Sequence, residues 1–81
     1  MKKLTPEEVV AFEKERSTFI DYKNIEEYIE DVAVLLVYSP WRYTEELALQ
    51  LIEDRKDYIE EAFRDKESAY SCSAEVGFVG G

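Results

Sequence analysis

The chain has 81 residues, 46% apolar and 36% charged, with 19 acidic side chains against 10 basic ones and a net charge of −9. This length and composition suit one folded domain with a single core, spanning residues 1–81, rather than a disordered chain or a two-domain protein. The charge excludes direct binding to a phosphate backbone, which needs a basic footprint; the absence of histidine and the single cysteine, Cys72, exclude imidazole-dependent triads, internal disulfides and multi-cysteine zinc sites.

The longest uninterrupted apolar run, "VAVLLVY" from Val32 to Tyr38, is far shorter than the roughly 20 residues that cross a bilayer. The opening "MKKLTPEE" turns acidic after two lysines, without the apolar core of a signal peptide. The expected location is the cytoplasm, with no membrane association.

The first helix is signalled by Thr5 at the N-cap, Pro6 at the first helical position and Glu8 at the reciprocal capping-box position. Val9, Phe12, Phe19 and Ile20 recur at helical spacing, so this helix is expected from about residue 6 into the high teens. A second capping box, Asn24 with Glu27, opens the next element. There Ile25, Tyr28, Ile29, Val32, Leu35 and Leu36 form an amphipathic stripe that becomes apolar nearly all round. This second helix is expected to be the central, most buried one, ended by Ser39-Pro40 because a residue before proline avoids the α region.

The third pattern is the longest. Capped by Thr44, it is expected to run as one helix to about Ser68, with Ala48, Leu51, Ile52, Ile59, Ala62 and Phe63 on one face, flanked by Leu47 and Tyr58. Arg55 projects from the middle of that face. An unpaired buried guanidinium is severely unfavourable, so Arg55 is expected at the rim or paired with an acid such as Glu13 or Asp31; Arg16 sits similarly on the first helix. If Arg55 does neither, its face is the place to expect self-association. A short fourth helix is expected in "SAYSCSAEVG", capped by Ser68 and lined inside by Ala69, Cys72 and Val76. Gly77 is read as its left-handed stop, with Phe78 packing back over the last turn. The expected fold is all-α: a small antiparallel bundle of three helices plus a short C-terminal fourth.

Glu7, Glu8, Glu26, Glu27, Glu45 and Glu46 fall in the first turns of predicted helices and oppose the helix dipole, which explains them structurally. Glu53, Asp57, Glu61 and Asp65 do not fit that account. On the side opposite the apolar face, they follow one another at strict i, i+4 spacing, where like charges cost roughly 0.2–0.5 kcal/mol per pair. The row either solubilises the helix or docks a cationic partner. At ~6 Å per step along the axis it resembles a run of phosphates, which makes DNA mimicry an alternative. In "VYSPWRY", Tyr38, Trp41, Arg42 and Tyr43 gather around Pro40. Trp, Tyr and Arg are the residue types enriched in binding hot spots, although Trp41 can equally plug one end of the bundle with its N–H on a carbonyl.

Other chemistry finds little purchase. There is no D-x-D-x-D-G calcium loop and no Glu-x-x-His pair, so neither metal nor cofactor is expected. Cys72 lacks an imidazole to activate it and reads as a small apolar filler. Gly80-Gly81 resembles the adenylated tail of ubiquitin-like and small sulfur-carrier proteins, and implies, as an alternative, a carrier acting through its terminal carboxylate. The likeness covers two residues and those families use a β-grasp fold, so a flexible end is expected instead. The function expected of the whole is non-catalytic. It is an acidic interaction module of adaptor, inhibitor or immunity type, binding a basic protein or peptide through Tyr38, Trp41, Arg42, Tyr43, Glu53, Asp57, Glu61 and Asp65.

Overall fold

In the computed structural model, residues 3–38 and 41–80 are described, with side chains as far as Phe78. They form five α-helices and no strand: α1 (Pro6–Glu15), α2 (Ile25–Tyr38), α3 (Glu45–Asp54), α4 (Lys56–Arg64) and α5 (Ala69–Gly80). The radius of gyration, 11.3 Å, matches the roughly 12 Å of a folded chain of this length. The expected stop at Ser39-Pro40 lies outside the described residues.

Local capping explains most of the helix starts. At α1, Thr5 Oγ1 accepts from the Glu8 N–H at 3.2 Å while Glu8 Oε1 accepts from the Thr5 N–H at 3.0 Å. The helix ends earlier than its periodicity suggests. Ser17 Oγ turns back to donate to the Lys14 carbonyl at 2.7 Å, competing with the backbone ladder as serine does. Phe19 therefore leaves the helix and joins Tyr22, Tyr28 and Phe63 in a cluster with ring centroids 5.2–6.4 Å apart. At α2, Asn24 Oδ1 accepts from the Glu27 N–H as a cap should, but Glu27 reaches past the cap to the Lys23 N–H.

The expected third helix divides into α3 and α4 at Arg55, whose φ of −113° and ψ of 24° leave the helical region. No glycine or proline marks the break. Ala48, Leu51 and Ile52 of α3 and Ile59 and Ala62 of α4 are all buried as expected, and a continuous helix would hold Arg55 squarely between them. Turning the chain there keeps both apolar faces inward and leaves Arg55 only half-buried, avoiding the large cost of an unpaired, fully buried charge. Five helices thus stand where three and a short fourth were expected. At the end of α4, the Glu67 N–H bonds to the Ala62 carbonyl at 2.9 Å and the Lys66 N–H to that of Phe63 at 3.1 Å, with Lys66 at φ 59°. This is a Schellman closure with lysine where glycine is usual.

The core lies around α2, which packs against α3, α4 and α5 and buries Tyr28 and every residue from Val32 to Leu36. Ala69, Cys72 and Val76 face it from α5, and the Tyr28 hydroxyl donates to the Glu67 carbonyl at 2.8 Å. Two expectations for α5 fail. The helix runs through Gly77 to Gly80, with no described glycine at positive φ, and Phe78 is 74% exposed rather than folded over the last turn.

Candidate interaction surface

The residues gathered around Pro40 separate into two groups. Tyr38, at the end of α2, accepts from the Leu4 N–H at 3.2 Å, and together with Arg42 it lines an open cleft against Leu4, Pro6, Val9 and Val10. Trp41 and Tyr43 turn instead to α5. Their rings stack with centroids 5.6 Å apart and 5° between planes. The Tyr43 hydroxyl donates to the Gly77 carbonyl at 3.0 Å, and the Tyr43 N–H bonds to the Leu36 carbonyl. A Cβ at position 77 would collide with Nε1, Cδ1 and Cε2 of Trp41, so glycine is required here for close approach, not for a turn. Trp41 plugs the end of the core as one reading of the sequence had it. Its Nε1, however, is buried without an acceptor instead of bonding a carbonyl. Of Tyr38, Trp41, Arg42 and Tyr43, Arg42 alone is exposed.

Glu53, Asp57, Glu61 and Asp65 are all exposed, and none forms a salt bridge among the described residues. They are divided between two helices. Glu53 lies in the last turn of α3, Asp57 in the first turn of α4, Glu61 within α4, and Asp65 is its C-cap. The break at Arg55 interrupts the regular step on which phosphate mimicry would rest. It also gives Asp57 a structural reason to be acidic, since it now faces the positive end of the α4 dipole. Glu53 and Asp65 sit at negative ends, where the dipole disfavours them. Folding stability does not account for those two.

Arg16, not Arg55, takes Asp31. Arg16 Nε donates to Asp31 Oδ2 at 2.8 Å, and the Tyr22 hydroxyl donates to the same oxygen at 2.6 Å. The guanidinium also meets Glu15 at 2.7 Å and stacks 4.3 Å from the centre of the Phe12 ring. Burial works to lower the Arg16 pKa, but its bond and charge interaction with Asp31 outweigh this and raise it. Burial, helped by Asp31, raises that of Tyr22. The group fastens the end of α1 to α2. Arg55 forms no ion pair with Glu13, Asp31 or any other described residue.

Cys72 is fully buried, and burial pushes its thiol up to about 12, with the Tyr28 hydroxyl working in the opposite direction. A thiol so protonated is a poor nucleophile. Among the described residues no group of three or more acidic or cysteine side chains converges as a metal site requires, and no helix is long and apolar enough to cross a membrane.

Among the described residues four large apolar side chains are exposed: Val10, Leu47, Leu49 and Phe78. Leu49 stands off the Ala48–Leu51–Ile52 stripe of α3 and is 54% exposed, beside Ile29, Ala33 and Val34 of α2. The only sequence signal for this place is that α2 and α3 contain no lysine or arginine. Comparison with protein-family models, curated proteins and solved structures finds no match to this chain.

Proposed function

We propose that the protein is a non-catalytic acidic interaction module of adaptor, inhibitor or immunity type, which acts in the cytoplasm by binding a basic protein or peptide. The observation that carries this reading is the set of unneutralised carboxylates on α3 and α4. Glu53, Asp57, Glu61 and Asp65 are exposed and unpaired although Arg55, Lys56, Arg64 and Lys66 lie in the same segment. With a net charge of −9, the chain attracts a cationic partner at distances up to the Debye length, about 30 Å at 0.01 M salt, so encounter is fast and salt-sensitive. In this proposal α2 serves as the central rod of an antiparallel bundle, with Trp41 and Tyr43 bracing its end and Arg42 and Tyr38 bordering the contact. It involves no phosphate backbone, cofactor or metal.

The test is the association rate of a fluorescent lysine decamer. Asp57→Asn combined with Glu61→Gln removes two exposed charges without touching the core, and should slow association several-fold at low salt while leaving the circular dichroism unchanged. Equal rates for wild type and variant at low ionic strength would reject the role of these acids.

A further inference from the structure

α2 and α3 each carry four carboxylates and no lysine or arginine; all ten basic residues of the chain lie elsewhere. Between these two helices runs an open groove of about 380 Å³. Ile29, Ala33 and Val34 form its floor and Leu49 its wall, and Glu26, Glu30 and Glu45 stand around it. A second depression shares Glu45 and Leu49 with it and adds Thr44 and Glu46. An exposed leucine alone is ordinary. Leu49 differs because it continues an apolar floor whose whole rim bears one sign of charge, with Glu26 and Glu30 in no ion pair among the described residues.

That combination selects the occupant. A second copy of the chain would bring its own net charge of −9 against the rim, and like-charge juxtaposition is strongly unfavourable. A neutral apolar segment would strip water from Glu26 and Glu30 without compensating them. Nucleic acid and anionic lipid are repelled. We propose that the α2–α3 groove binds a cationic amphipathic helix, which seats an apolar side chain on Leu49 and directs lysines or arginines one turn away to Glu26 and Glu30 on one side and Glu45 on the other. Residues three and four apart share a helix face, so one short helix supplies both elements in the helix-in-groove mode. This inference rests on the reading of the protein as a binder of basic partners and names the partner's shape.

The probes are a synthetic 14-residue leucine/lysine amphipathic helix and a control of identical charge with serine in place of leucine. Both are titrated into the full chain at low salt, with amide chemical shifts and affinity recorded. The leucine peptide should bind at least ~tenfold more tightly, as burying one large apolar side chain implies, and shift the amides of Ile29, Ala33, Val34 and Leu49. Leu49→Gln, at an exposed position, should reduce that affinity about tenfold and leave the serine peptide unaffected; Glu26→Gln with Glu30→Gln should weaken both. Equal affinity for the two peptides, or shifts confined to α4, would overturn the groove while leaving the acidic module standing. No binding of either peptide would overturn both. Concentration-dependent dimerisation that moves the same amides would show that the occupant is a second copy, against the inference.

Discussion

Gly77→Ala is the sharpest probe of how the end of the core is closed. In a helix interior, alanine for glycine stabilises by up to about 1 kcal/mol, and α5 is regular through position 77. The new methyl group, however, would overlap Nε1 and Cδ1 of Trp41, so the indole must move. Overpacking of this kind costs about 1–3 kcal/mol. Displacement also breaks the 5.6 Å stack with Tyr43, worth roughly 0.5–1.5 kcal/mol. The net expectation is a loss of about 1–2 kcal/mol, which at this chain length lowers the melting temperature by roughly 4–8 °C per kcal/mol. Trp41 is the sole tryptophan, so its emission should shift to the red and become more open to acrylamide quenching. The decisive measurement is the sign in a second background. With Trp41→Ala already present, Gly77→Ala should become stabilising, because only helix propensity remains. If Gly77→Ala stabilises the wild type and leaves the emission unchanged, the indole does not lie on Gly77.

Two further outcomes follow from the core and the caps. Burial raises the Cys72 thiol from 9.0 to about 12 and the Tyr58 phenol from 10.0 to about 12, the latter helped by Glu67. Both groups are therefore protonated in the folded chain at pH values where the unfolded chain has released its protons. Their contribution is complete below about pH 9 and is lost as pH rises toward 12, at a slope of up to about 1.4 kcal/mol per pH unit for each group. Urea midpoints between pH 9 and pH 11 should thus fall less steeply in Cys72→Ala than in wild type, and parallel slopes would refute the assignment. Lys66 holds φ 59° in the Schellman closure of α4, so Lys66→Gly should raise stability by about 0.5–1 kcal/mol in thermal or urea unfolding; a destabilised variant would contradict that geometry.

The parts of the fold legible in the sequence are those decided within a few residues. Thr5 with Glu8, Thr44, and Ser68 each satisfy free N–H groups three residues on, and such local bonds leave a local signature. The Arg55 break leaves none of the usual marks, because it answers a conflict between helical continuity and the burial of one charge; Arg55 on an apolar stripe was the sole hint. Gly77 misleads for a related reason. Locally it resembles a helix stop, but its reason for being glycine is an indole 36 positions earlier in the chain. For the candidate site, the exposure of Glu53, Asp57, Glu61 and Asp65 was legible from their phase opposite the apolar face, and their division between two helices was not. Trp41 could be read as plug or as contact until α5 was in place beneath it, and nothing local to Tyr43 signals its bond to Gly77. The Leu49 groove depends on how α2 and α3 meet, which periodicity within either helix does not encode.

We propose that surplus exposed carboxylates bind a basic partner and perform no chemistry of their own. Affinity capture from extract of the source cell, on immobilised wild type and on Asp57→Asn/Glu61→Gln side by side and eluted with a salt gradient, tests it most directly. The expected result is a retained protein with a basic surface, released as salt rises and held less firmly by the variant. A retained partner that is acidic, or one held equally by both forms and indifferent to salt, would contradict it.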